Sequence, residues 1–271
     1  GSMIQAYEES FEKYNIENGH FRTEKKMNNA QIQDIEDLGI KLYENYYVEE
    51  ALTNGSTMRI FKNRDEVNKV CLMKGKMPEK PGEIGIDRMY ADNNDLSVGD
   101  EIESGGHTWK ITGLVALSDY SALFSNNNDS MFDSVKFGVS VVCPEEFDSY
   151  KADQLNYSYA WKYNTEPKNE KAEKDISEDL MEDVAKEVTL EEFVPRYTNQ
   201  AIIFTGDDMG GDRSMMIVLL YIIIVIMAFV FAITTSNTIR KEANVIGTLR
   251  ASGYTRGELI RHYMAAPVFV T

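Results

Sequence analysis

Residues 215–233 read MMIVLLYIIIVIMAFVFAI, a run of 19 residues without a charge. As a helix rising about 1.5 Å per residue the run spans ~28 Å, close to the ~30 Å hydrocarbon thickness of a bilayer. A buried helix of a soluble domain normally keeps a polar stripe on its outer side over that many turns. This run has none, so it predicts a transmembrane helix and divides the rest of the chain between two compartments.

The charge is divided at the same place. Beyond the run, Arg240, Lys241, Arg250, Arg256 and Arg261 outnumber Glu242 and Glu258, a net of +3. Taken from the total of −16, that leaves −19 on residues 1–213. Lys and Arg gather at the cytoplasmic end of a span. Residues 1–212 are therefore expected outside a bacterial cell membrane and residues 237–264 in the cytoplasm. So acidic an outer surface repels phosphate and argues against nucleic acid. It suits a cationic partner, although solubility alone also accounts for it.

Residues 4–19, IQAYEESFEKYNIENG, place Ile4, Tyr7, Phe11 and Tyr14 at spacings of three and four, which predicts an amphipathic helix ending near Gly19. It is either the first helix of the globular domain or the continuation of an earlier span, and the second is preferred. A short helix follows over 29–38, and GIKLYENYYVEE (39–50) reads as a strand. Further strands are expected at TMRIFK, VNKVCLM, EIGI, DEIES, TWKITGLVAL, FGVSVVC and NYSYAWKY, separated by turn residues such as Pro78, Pro81, Gly82 and Gly99, with a brief helical piece around DRMYADNND. Residues 166–188 space Ile176, Leu180 and Val184 four apart, an exposed amphipathic helix. Strands with helices at irregular intervals indicate an α+β fold rather than a doubly wound parallel sheet. Gly1, Ser2 and Met3 are expected to be an added leader. The apolar close YMAAPVFVT is expected to begin a further, truncated span.

Catalytic and metal signatures are missing from the chain. The histidines are His20, His107 and His262 only, without the close ligand pairs of a zinc site. No phosphate loop, nucleophile elbow, H-E-x-x-H or C-x-x-C occurs, so no cofactor is expected in this chain. Cys71 and Cys143 lie in expected strands, where one disulfide or two buried thiols are both open. Asp207, Asp208 and Asp212 in TGDDMGGDRS could supply oxygen ligands, but their order is not that of a calcium loop, and a flexible acidic linker is the expected reading.

After the run, Ile239, Val245, Ile246 and Leu249 keep a helical spacing until Gly253 breaks it. Thr255 stands three residues before Glu258, a capping-box spacing that starts a second helix with Leu259, Ile260 and Tyr263. Read from pattern alone, the pair is an amphipathic element resting on anionic lipid.

The run RKEANVIGTLRASGYTRGELIRHYM (240–264) resembles the segment after the second span of FtsX-like (MacB-type) ABC transporter permeases, at Glu242, Ile246, Gly247, Leu249, Arg250, Ala251 and Gly253. Residues 75–115, with GEIGID, LSVGDEIES and WKITGLV, look like the extracytoplasmic core domain of that family. Compared with a complete permease, the first, third and fourth spans and the separate ATPase are missing. The resemblance implies an α+β fold in five parts: 1–20 a juxtamembrane stalk helix, 21–210 a mixed extracytoplasmic domain of MacB-type core, 213–236 the transmembrane helix, 237–264 cytoplasmic coupling helices, and 265–271 the start of the truncated next span.

It also implies a permease subunit that is not itself an enzyme. A cytoplasmic ABC ATPase would bind the ATP and move a docked helix, and the outer domain would change posture in response. Ile246 and Leu249 would be apolar anchors, Glu242 and Arg250 polar contacts, and Gly247 and Gly253 would allow close approach and bending. Membrane lipid, a second permease unit and a cationic peptide or envelope protein are the further partners implied. The alternative is a membrane-anchored receptor for a peptide or envelope component. A tethered hydrolase has no nucleophile and base to support it.

Overall fold

Short apolar, β-branched and aromatic runs between turn residues become strands because they fit a pleated surface with at least one buried face. The structure, a computed structural model, describes residues 2–261. Its elements begin with α1 (Ser2–Lys13), β1 (Gly19–Thr23), α2 (Asn29–Glu36), β2 (Ile40–Glu44), β3 (Tyr47–Ala51), β4 (Thr57–Lys62), β5 (Val70–Gly75) and β6 (Glu83–Asp87). They continue with α3 (Arg88–Asn93), β7 (Glu101–Ser104), β8 (His107–Leu117), β9 (Phe137–Val142), α4 (Pro144–Phe147) and β10 (Tyr157–Tyr163). The last are α5 (Glu170–Glu187), β11 (Leu190–Pro195), α6 (Gln200–Lys241) and α7 (Ala243–Ala251). Residues through Asp208 form one compact unit and those from Met209 a second.

The first unit is a mixed α/β domain with two sheets. One is antiparallel with four strands in the order β11-β1-β10-β2. Its core joins Phe21, Tyr159 and Trp161 to Leu180 and Val184 of α5. Gly19 is required there, since any Cβ would run into the indole of Trp161. The other sheet has seven strands, ordered β3-β4-β9-β6-β8-β5 with β7 also on β8. The β4–β9 and β6–β8 pairs are parallel and the rest antiparallel. All six residues of β9 are buried, which is why FGVSVV reads as a continuous run and not an alternation. Met58, Ile60, Ile84, Ile86, Trp109 and Val139 fill this second core.

Several expectations need correction. The expected helix over 1–20 stops at Lys13, because Asn15 takes a left-handed φ of 46° and turns the chain inward. Ile16, Glu17 and Asn18 are then buried, and Gly19 opens β1. Tyr7 donates to the Ile202 carbonyl at 3.2 Å and Arg196 lies 5.0 Å from the Phe11 ring, so α1 packs within the first unit. GIKLYENYYVEE is two strands, β2 and β3, in different sheets, because Asn45 and Tyr46 carry the chain from one to the other.

The helix expected over 166–188 is α5. It starts at Asn169, whose side chain accepts the Ala172 N–H. Its buried stripe is Ser177, Leu180 and Val184, with Ile176 exposed. The cysteines do not pair: Cys143 is buried and Cys71 half-buried, both as free thiols. The acidic stretch expected as a flexible linker is helical, because α6 runs without a break through residues 205–214.

The first turn of α6 is gripped by the loop that follows β8. Ser121 Oγ donates to the Ala201 carbonyl at 2.7 Å, and the Gln200 N–H donates to Asn127 Oδ1 at 2.9 Å. Phe124, Phe132 and Phe204 pack edge to face around the same turn, with centroids 5.2–5.7 Å apart. The loop is in turn fixed to β4: Arg59 donates to the Tyr120 hydroxyl and to the Ser125 carbonyl, each at 2.8 Å.

Candidate functional site

A helix that crosses lipid must satisfy its backbone internally and present apolar side chains all round. Residues Ser214–Lys241 of α6 form the one stretch among the described residues long and apolar enough to do so, with mean hydropathy 3.3 over its most apolar 18 residues. None of its most apolar part is buried by protein, and Leu219, Ile222, Ile226 and Phe229 are half or more exposed. Where polar residues return, Thr234 and Thr238 donate back to the carbonyls of Val230 and Thr234 at 2.8 and 3.0 Å, which keeps their hydroxyls satisfied within the helix.

The residues expected to couple follow directly. Glu242 stands between α6 and α7 as the N-cap residue of α7, with φ −96° and ψ 11°. Its N–H bonds the Thr238 carbonyl and its own carbonyl takes the Ile246 N–H, so the ladder passes almost unbroken from one helix to the next. Ile246 and Leu249, three apart, are both half-buried on one face of α7. Gly247 faces open space, where a Cβ would meet nothing within 4 Å, and Arg250 is exposed.

The helix ends in a closed Schellman arrangement. The Tyr254 N–H bonds the Leu249 carbonyl and the Gly253 N–H bonds the Arg250 carbonyl, both at 3.1 Å. Gly253 has φ +102°, a conformation that side chains rarely adopt, so a glycine is needed here. Two residues later the expected capping box is present: the Thr255 N–H donates to Glu258 at 2.9 Å and the Glu258 N–H to Thr255 Oγ1 at 3.4 Å. These bonds to Thr255 hold the Glu258 carboxyl below its ordinary pKa. Residues 256–261 are helical. Positions 262–264 of the expected docking segment, and the expected further span at 265–271, lie outside the described residues.

The six expected residues thus fall on one continuous segment, with different roles in it. Gly253 and Glu242 shape the backbone. Ile246 and Leu249 are partly covered, and Leu259 is the buried apolar side chain among the described residues of this unit. The apolar surface left outward includes Val245, Tyr254 and Ile260, all more than half exposed. Sequence reasoning missed Tyr254 as an outward residue, because the Schellman closure that turns it outward involves residues on both sides of the break. Among the described residues no group of three or more His, Cys, Asp or Glu could hold a metal ion. Asp208 and Asp212 of the considered calcium loop are outside the described side chains.

Residues 217–271 match the family model described as the FtsX-like permease C-terminal. No curated protein matches the chain. Among solved structures it is similar to the periplasmic region of MacB from Actinobacillus actinomycetemcomitans, at 10% identity over 63% of this chain and 86% of that one, with a TM-score of 0.34. It is also similar to the extracellular domain of the noncanonic ABC-type transporter YknZ from Gram-positive bacteria, at 11% identity over 64% of this chain and 100% of that one, with a TM-score of 0.35. The apolar stretch from residue 217 and the whole of α7 thus lie in the part of the chain that is similar to the FtsX-like permease C-terminal.

Proposed function

We propose that the chain is the permease subunit of an ATP-driven ABC transporter or mechanotransmission complex. On this reading a separate cytoplasmic ATPase binds and hydrolyses ATP, the chain itself is not an enzyme and needs no cofactor, and residues 240–263 dock on the ATPase. One observation supports it above the others: the segment matching FtsX-like permeases contains two short helices whose junction is fixed by a Schellman closure on one side and a capping box on the other. A docking element gains affinity from such a preset shape, because little ordering is left to be done on binding. Val245 and Arg250, both exposed, flank the half-buried Ile246 and Leu249 on opposite sides, so the stripe has an apolar rim and a basic one. The basic excess beyond the span supports a cytoplasmic position for that face, with the acidic unit outside. Anionic lipid, a second permease unit and an outer substrate or envelope partner complete the reading, with a cationic peptide or envelope protein suited to the acidic surface.

The test is co-purification of the full-length permease with its ATPase. Leu249→Asp probes the half-buried stripe, Val245→Asp and Arg250→Glu its two exposed rims, and Lys80→Glu, exposed on the other unit, is the control. Loss of the ATPase with the α7 variants but not with Lys80→Glu supports docking. Retention in every variant sinks it, and absence of any ATPase with the wild type favours the anchored-receptor reading.

A further inference from the structure

A partly open polar cavity of about 170 Å³ lies inside the first unit, between β1 and β11 on one side, β3 and β4 on another, and the loop that grips α6 on a third. At ~10–15 Å³ for each water-sized probe, it has room for roughly a dozen heavy atoms. Its walls carry both signs of charge: Arg22, Arg59 and His20 against Glu49, Glu192 and Asp119, the last already paired with Arg64 at 2.8 Å. Several of these charged groups already have partners. Arg22 pairs with Glu191, Arg59 with Glu49 at 2.9 Å, and His20 with Glu17 at 2.6 Å.

Groups on the cavity side are not satisfied in the same way. Arg22 Nε is buried with no hydrogen-bond partner. The Glu192 carboxylate stands 3.8 Å from His20 Nε2 and 4.0 Å from Arg22 Nε, beyond hydrogen-bond reach of either. A buried N–H left unpaired has lost its water without gaining a partner, so a site that keeps one gains on binding an acceptor. An anion alone would also meet Glu49 and Glu192, and a cation alone would meet Arg22, Arg59 and His20. A molecule carrying both charges answers both walls.

We propose that this cavity is a binding site for a small zwitterion of the α-amino-acid class, free or as a very short peptide, its carboxylate on Arg22 Nε and its ammonium on Glu192. The charge pattern does not change near neutral pH. Burial alone would lower the pKa of His20, but the Glu17 carboxylate beside it, with a smaller contribution from Glu192, pushes it up to about 10. The site also touches the base of α6. Ser125, Asn126 and Asn127 line it from the gripping loop, and Asn199 and Ala201 from the start of the helix. A molecule seated there makes contact at once with the small sheet and with the residues that hold the first turn of α6.

The test uses the full chain in detergent micelles, with calorimetric titration of glycine, L-glutamine and diglycine. Ethanolamine serves as a cation-only control, propionate as an anion-only control and glycerol as a neutral polar one. At least one zwitterion is expected to bind, none of the controls to match it, and Arg22→Gln and Glu192→Gln each to weaken it about tenfold or more. Amide exchange in residues 120–127 and 200–203 is expected to slow with the bound zwitterion. Glu192 is a third exposed, so Glu192→Gln leaves the fold intact even where Arg22→Gln disturbs it. Failure of all three zwitterions, equal binding of a single-charge control, or binding indifferent to Glu192→Gln overturns the proposal and leaves a water-filled cavity. No ATPase enters the measurement, so its outcome is separate from that of the docking reading.

Discussion

Asp119 is a sensitive point of the first unit. It accepts two hydrogen bonds from Arg64, each 2.8 Å, and both side chains are only 6% exposed. Arg64 also reaches Asn45 Oδ1 at 3.3 Å and lies 4.8 Å from the Phe61 ring, and it has no second carboxylate to turn to if its partner is lost. Asp119→Asn keeps the shape and removes the charge, leaving a buried guanidinium uncompensated at a cost of about 3–5 kcal/mol. The paired replacement Arg64→Met with Asp119→Leu removes both charges and is expected to cost far less than that, because the desolvation of both groups is also removed.

Trp109 and Trp161 are the only tryptophans in the chain, both wholly buried in this unit, so their fluorescence during urea unfolding in micelles reports on it alone. With a slope of about 2 kcal/mol per molar urea, the midpoint should fall by roughly 2 M in Asp119→Asn. It should recover most of that in the double variant. A fall below about 0.5 M, or a double variant as unstable as the two single changes added together, would show that the pair is not held in the low-dielectric setting argued here.

Two further outcomes follow from single residues. Asp87 caps α3, accepting N–H bonds from Met89 and Tyr90, yet burial outweighs those bonds and pushes its carboxyl up to about 6 from 3.8. A raised folded pKa means that its contribution to stability is complete below about pH 4 and is lost as pH rises through 6. Relative to Asp87→Asn, which keeps the cap, the wild type should lose on the order of 3 kcal/mol between pH 4 and 7, read as urea midpoints. A flat difference would contradict the burial argument. At Gly253, with φ +102°, an alanine costs about 1–2 kcal/mol and should loosen the end of α7. Limited proteolysis between residues 251 and 256 should speed up in Gly253→Ala and less in Gly253→Asn.

Dense strands were readable from sequence because their reason for being strands is local. TMRIFK is β4, EIGI opens β6, and TWKITGLVAL lies within β8. The missed strands, β1 and β11, have their reason elsewhere. GHFRT places Phe21 against Tyr159, Trp161 and Phe193, and LEEFVP supplies that Phe193, so each strand is a strand only because of the other and of β10. The acidic, glycine-rich junction before the span read as a linker because propensity there is poor. A helix already nucleated on both sides needs only propagation to continue through it.

The same contrast separates the two candidate sites. Residues 242–258 are contiguous, so the Gly253 break and the Thr255–Glu258 box could be located from spacing alone. The cavity takes His20 and Arg22 from β1, Glu49 from β3, Arg59 from β4 and Glu192 from β11, and no spacing in the chain brings these together.

How α6 is attached explains why that cavity matters. The two main cores are filled by large apolar side chains, but the cluster at the base of α6 has only Ala122, Phe124 and Ala201 fully buried, with Tyr120 and Phe132 beside them. At about 25 cal/mol per Å² of apolar area, so small a cluster holds far less than either core. The rest of the hold comes from polar contacts: Ser121 to Ala201, Gln200 to Asn127, and Arg59 reaching from β4 to Tyr120 and Ser125. Such contacts are strong when water is kept out and weak when it enters. Arg59 sits on the boundary, with its guanidinium 4.5 Å from the Tyr47 ring and one side of it lining the cavity. What fills the cavity therefore decides whether these bonds are made against a fixed polar neighbour or against exchanging water.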